Sequence, residues 1–151
     1  TATSHLPDEV KALLASGEDT EYNGELLVAA NYRNDSIPER SIIISGDTAE
    51  QAIDSGCDLL IHEATFLESH KDIANEHLHS TAAGAARTAI ECGAKHLALT
   101  HYSARLDSHD ASLSEAREIH ASVVALGDGD RLVLADDLSF NHLTKQAEGW
   151  A

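Results

Sequence analysis

The sequence predicts an α/β fold, and three observations carry that prediction. Apolar runs recur at 41–45, 58–62, 95–100 and 131–135, each short enough for a strand of about 4–8 residues. Between them lie segments with helical periodicity. Turn residues or plausible caps bound nearly every segment, giving a β-α-β-α rhythm.

Taken in order, Leu6 to Ala15 reads as a short helix, with Pro7 allowed in its first turn and Gly17 just past its end. Leu26 to Ala30 is a candidate strand. Asn31 to Arg40 is polar and contains Pro38, so it reads as a loop before the β-branched run Ser41 to Ser45, expected as a buried strand. A brief helix over Ala49 to Asp54 should end at Gly56, followed by a strand from Asp58 to His62 and a His- and acid-rich loop through His79. Ser80 is placed to cap the next helix. That helix, Thr81 to Cys92, is rich in Ala, the strongest helix former, and Gly93 should stop it. Its small face suits close packing on a sheet. A strand over Lys95 to Thr100, a helix over Ser112 to Ala125, a strand over Arg131 to Ala135 and a hairpin arm over Asp136 to Leu143 complete the reading.

With 151 residues, 42% of them hydrophobic, the length prior favours one globular domain spanning 1–151. No run of about 18 apolar residues exists and the first residues form no charged-then-apolar leader, which predicts a cytoplasmic protein with no membrane partner. Cys57 and Cys92 are too few for a disulfide scaffold and suit buried thiols without a bridge. Twenty-six acidic against ten basic residues give a net charge of -16, which in dilute buffer opposes a polyanion. The acids are spread along the chain, a pattern that suggests a halophilic surface, because at about 1 M salt the Debye length is roughly 3 Å. The chain contains no Met and opens at Thr1, which fits a fragment.

In sheets built from βαβ units, chemistry collects beyond the carboxyl ends of the strands. Polar motifs stand at three such ends: Gly46-Asp47-Thr48, His62-Glu63-Ala64-Thr65-Phe66 and Thr100-His101-Tyr102-Ser103. A fourth, His79-Ser80-Thr81, opens the Ala-rich helix. Singly, each has an ordinary structural explanation, such as an Asx turn at Asp47 or a solvated cap neighbour at His79. Together they suggest chemistry. A carboxylate and an imidazole from adjacent strand ends are ordinary Zn²⁺ ligands, and a His–carboxylate pair beside them could deliver a proton. His62, next to Glu63 but on the opposite strand face, reads as structural.

The ordered set GDT at 46–48, HEATF at 62–66, HSTA at 79–82 and LTHYSAR at 99–105 resembles the C-terminal half of ribonuclease Z, the tRNA 3′-processing endonuclease. The resemblance implies half of a metallo-β-lactamase αββα sandwich, a mixed sheet with flanking helices. It also implies hydrolysis of precursor tRNA at a centre holding two Zn²⁺. On this resemblance Asp47 and His101 are metal ligands, Glu63 and His79 are catalytic, and Ser103 and Arg105 bind substrate. The family's His-x-His-x-Asp-His signature is absent from these residues. Asp47 and His101 supply two of the four ligands a tetrahedral zinc needs, so the chain alone should hold metal weakly and catalyse little. Its expected partners are the missing N-terminal half and, through the sheet face left open, a second copy in a homodimer. Two competing readings are an arylsulfatase-like hydrolase of the same fold and a non-catalytic interaction module.

Overall fold

The structure, a computed structural model, describes residues 5–32, 39–135 and 137–151. The chain divides into two compact units, Thr1–Pro38 and Glu39–Ala151.

In the first unit, α1 (Asp8–Ser16) starts after Pro7, which serves as its N-cap, and ends at Gly17 with φ 93°, a left-handed conformation that suits a residue without Cβ. A hairpin of β1 (Thr20–Tyr22) and β2 (Glu25–Leu27) follows, then a 3₁₀ turn over Ala29–Asn31. The expected strand at 26–30 is therefore shorter. Its second half turns because the Asp19 carboxylate accepts the Ala29 N–H at 2.8 Å. Leu6, Leu14, Leu27 and Ala29 form this unit's core. Most of the expected loop at 31–40, including Pro38, lies outside the described residues.

The second unit is built on four parallel strands in sequence order: β3 (Ile42–Ile44), β4 (Leu59–Glu63), β5 (His96–Thr100) and β6 (Val123–Ala125). Strands in this order take their crossovers on one side. α2 (Lys71–Glu76) and α3 (Ala82–Glu91) connect β4 to β5, and α4 (Asp110–Arg117) connects β5 to β6. Ala82, Ala85, Ala86 and Ala89 of α3 are fully buried in one cluster with Leu60, Leu97 and Leu99. Small side chains let this helix lie close to the strands. On the other face Phe140 stacks on His96 with ring centroids 4.6 Å apart. Phe140 belongs to β8 (Phe140–Leu143), which pairs antiparallel with β7 (Arg131–Leu134), while β9 (Lys145–Gln146) and β10 (Gly149–Trp150) form a last short ladder.

Several expectations need correction. The 41–45 run is a strand, but an edge one, with Ile42 54% and Ile44 70% exposed and Ile43 alone packed on the core. Residues 49–54 form no helix; Glu50 is held instead by Arg87 of α3. The cap of α3 is Thr81, whose hydroxyl accepts the Gly84 N–H at 2.9 Å. Ser80 donates to the Thr48 carbonyl. The helix expected over 112–125 stops at Arg117, because Val123 and Val124 pair with Leu97 and Ala98 as β6. Asp136 lies outside the described residues. Cys57 and Cys92 are free and buried, and among the described residues no helix is long and apolar enough to cross a membrane.

Acid should weaken this unit. Burial pushes the Glu68 carboxyl up, but hydrogen bonds from Thr81, Arg87 and Lys71 outweigh it and hold the group at about 2. Lys95 and the Ser41 backbone hold Asp58 at about 2, and the Gly127 N–H with His142 does the same for Asp130. Burial also lowers His62. All four groups are depressed in the folded state, so the unfolded chain binds more protons as pH falls. The His62 contribution fades below its ordinary value near 6.5, and the carboxylate contributions fade from their ordinary values near 4 down to about 2. Urea midpoints should fall steadily over that range; a midpoint independent of pH between 6.5 and 2.5 would contradict the assignment.

Candidate active site

The candidate side chains gather beyond the carboxyl ends of β3, β4 and β5. Asp47 follows β3 through a turn at Gly46, whose φ is 64°. Glu63 is the last residue of β4. His101 follows β5 directly and is itself left-handed, φ 54°, a conformation uncommon for a residue with Cβ. His79 is delivered differently. α2 ends in a Schellman motif, with Leu78 at φ 57° and the N–H groups of Leu78 and His79 bonded to the carbonyls of Asn75 and Ala74. A parallel bridge between Phe66 and Thr81 then fastens this turn to the chain leaving β4.

Glu63 is 1% exposed and its carboxylate receives four donors. Oε1 accepts the Thr48 N–H at 2.8 Å and His79 Nδ1 at 2.7 Å. Oε2 accepts the Thr65 hydroxyl at 2.6 Å and the Thr65 N–H at 3.2 Å. Burial raises this carboxyl, but the hydrogen bonds from Thr65, His79 and Thr48, helped by the nearby Ser80 backbone, outweigh it and leave it lowered. The Thr65 hydroxyl also lies 2.8 Å from His101 Nδ1. On the outer side, His101 Nε2 is 3.4 Å from Asp47 Oδ2, and the His79 and His101 rings stack 5.3 Å apart.

Donor atoms of Glu63, His79 and His101 all lie within 4.8 Å of one another. Their chemistry nonetheless separates them. Glu63 is enclosed and saturated, and His79 Nδ1 is committed to it, so these two suit a coupled proton pair. Asp47 and His101, with side chains 62% and 45% exposed, present an oxygen and a nitrogen close enough to share one ion, on a rim where further ligands could approach. The donor set fits zinc.

The remaining sequence candidates lie close by. The Ser103 N–H donates to the Thr65 carbonyl at 3.0 Å, and Ser103 lines a cavity of about 560 Å³ together with His101, His109 and Asp128. Arg105 is exposed beside a smaller cavity of about 180 Å³ that includes Thr65 and Phe66. His62 is fully buried on the opposite strand face, its Nδ1 donating to the Glu63 carbonyl. Thr65 escaped the sequence reading. Its position two residues after Glu63, inside the same motif, was the available signal.

The chain is 36% identical over 137 residues to ribonuclease Z of Brevibacillus brevis, an alignment covering 84% of this chain and 40% of that protein. With ribonuclease Z of Nitrosopumilus maritimus it shares 36% identity over 119 residues, 76% of this chain and 40% of the relative. The chain is a relative of ribonuclease Z. The resemblance carried by the GDT, HEATF, HSTA and LTHYSAR motifs thus extends over most of the chain, which spans about 40% of the length of these curated relatives. No protein-family model matches. Among solved structures, the metallo-beta-lactamase fold protein YhfI from Bacillus subtilis superposes with a TM-score of 0.51 at 27% identity, over 57% of this chain and 36% of that one. This ribonuclease Z relative therefore has part of a metallo-β-lactamase fold, a parallel sheet with helices packed on it.

Proposed function

We propose that the chain supplies part of the active centre of a zinc-dependent endoribonuclease that removes the 3′ trailer of precursor tRNA. The observation that carries this reading is convergence. Asp47 Oδ2 and His101 Nε2 stand 3.4 Å apart beside a Glu63–His79 pair joined at 2.7 Å. Asp47, with two carboxylate oxygens, would bridge two zinc ions, and His101 would hold one through Nε2. The other ligands would come from a segment bearing His-x-His-x-Asp-His, outside these residues. Bound there, two zinc ions would supply an activated water and a clamp on the phosphodiester.

The chain's own residues then have separate tasks. Glu63 orients His79 through Nδ1, so Nε2 is the nitrogen that gives a proton to the departing ribose 3′ oxygen. Ser103 and Arg105, which line cavities beside the site, would contact the phosphate backbone. Exposure of Ile42 and Ile44, on the face of β3 opposite the core-packed Ile43, supports association through that open sheet face, with the complementing segment or with a second copy. The acidic surface supports work in high salt inside the cytoplasm, where screening lets an acidic protein approach RNA.

The test joins the chain to a segment carrying the His-x-His-x-Asp-His ligands and assays it at low and molar salt. Expected are cleavage of a precursor tRNA at its 3′ side, two zinc ions per centre, and no hydrolysis of small sulfate esters. Sulfate-ester turnover without RNA cleavage would favour the arylsulfatase-like hydrolase. Failure to recover zinc would favour a non-catalytic module.

A further inference from the structure

We infer that Thr65 is a positioning residue that fixes the tautomer of His101, holding the proton on Nδ1 and leaving the Nε2 lone pair facing Asp47. The inference rests on reading His101 as a ligand through Nε2, and it follows from counting protons. The Thr65 hydroxyl has one hydrogen and sits 2.6 Å from Glu63 Oε2, 2.8 Å from His101 Nδ1 and 3.1 Å from the His101 carbonyl. Glu63 accepts a backbone N–H at each oxygen, from Thr48 and from Thr65, and behaves as an acceptor-only carboxylate. If the hydroxyl hydrogen pointed anywhere else, two oxygens with facing lone pairs would stand 2.6 Å apart. The hydrogen therefore goes to Glu63, the charged and nearest acceptor.

That choice leaves the Thr65 oxygen as an acceptor toward His101. The 2.8 Å contact is a hydrogen bond only if Nδ1 carries the proton, and a neutral imidazole with Nδ1–H has its lone pair on Nε2. The second His79 contact does not compete, since His79 Nδ1 lies 3.4 Å from Thr65 but 2.7 Å from Glu63. Backbone bonding reinforces the arrangement: the Thr65 carbonyl accepts the Ser103 N–H at 3.0 Å, just past the left-handed His101. One threonine thus ties the acid–base pair to the metal-facing imidazole by a directed chain, His101 to Thr65 to Glu63. Ligand orientation by an outer hydrogen bond is a general means of tuning metal sites.

The experiment is nitrogen-15 NMR of the imidazole rings in the metal-free 151-residue chain near pH 8.5. Wild-type His101 is expected as the Nδ1–H tautomer, the minor form of free histidine. Thr65→Val should convert it mainly to Nε2–H, and Thr65→Ser should restore Nδ1–H. An Nε2–H ring in the wild type, or an Nδ1–H ring that persists in a folded Thr65→Val chain, would overturn the inference. Should Thr65→Val not fold, the wild-type and Thr65→Ser spectra still decide. A parallel zinc titration of the chain joined to a segment carrying the His-x-His-x-Asp-His ligands reports on the functional reading separately: in Thr65→Val, zinc affinity should drop by about 10–100-fold. Failure of the wild type to take zinc, with the tautomer as stated, counts against the metal assignment while leaving the positioning role intact.

Discussion

In the reconstituted protein, Asp47→Ala should reduce precursor-tRNA cleavage to background and lower the zinc content, while His79→Ala should slow cleavage by roughly 10²–10⁴-fold, the range for general acid–base groups, with zinc retained. The two substitutions remove different things. Asp47 offers an exposed oxygen 3.4 Å from His101 Nε2, and on the proposed reading its loss would take away a bridge between ions. His79 is spent on Glu63 through Nδ1 at 2.7 Å, and on the proposed reading its loss would take away a proton donor. Glu63→Gln should resemble His79→Ala in rate, because an amide carries no charge to pair with the His79 ring. Metal analysis beside single-turnover rates checks the contrast. Full activity of Asp47→Ala, or zinc loss in His79→Ala equal to that in Asp47→Ala, would remove the division of labour.

Where the sequence was legible, local chemistry and tertiary packing agree. The Ala-rich stretch reads as a helix and is one, since the residues that favour helix are also small enough to pack on β4 and β5. Asp47, Glu63 and His101 come together because parallel strands bring their carboxyl ends to one rim, and His79 joins them from the turn after α2. Other elements were hidden for identifiable reasons. α2 lacks the usual stop signal, as Leu78 occupies the left-handed position where Gly is expected. At 119–125 the apolar spacing suits a helix, but pairing of Val123 and Val124 with β5 overrides it. Ile42 and Ile44 read as buried because side-chain type records a preference for burial, not what lies over the strand. Thr65 was hidden by a different limit: a hydroxyl acquires its role from three partners at 2.6–3.1 Å, two of them on a residue 36 positions away.

Arg87→Met should destabilise the second unit by about 1–3 kcal/mol and loosen the site as it does so. The guanidinium reaches two carboxylates at once, donating to Glu50 through Nε and Nη2 and to Glu68 through Nη2 at 3.0 Å. Its removal leaves both acids with Lys71 at 3.3 Å, and Glu68 with the Thr81 hydroxyl. The cluster is tight enough that a Cβ on Gly84 would come within 2.9 Å of Glu50 Oε2. Because these side chains are about one-third exposed, the cost should fall below that of a fully buried pair and shrink further in molar salt. The functional consequence comes from chain connectivity. Glu50 lies two residues after Thr48, whose N–H holds Glu63, and Glu68 lies two after Phe66, which bridges to Thr81 beside His79. Urea unfolding at unchanged m-value measures the loss, and a double-mutant cycle with Glu50→Gln should return a coupling above about 0.5 kcal/mol. Additive effects would mean that Arg87 and Glu50 contribute independently, and the arginine would then be a surface charge rather than the clamp that joins α3 to both loops of the site.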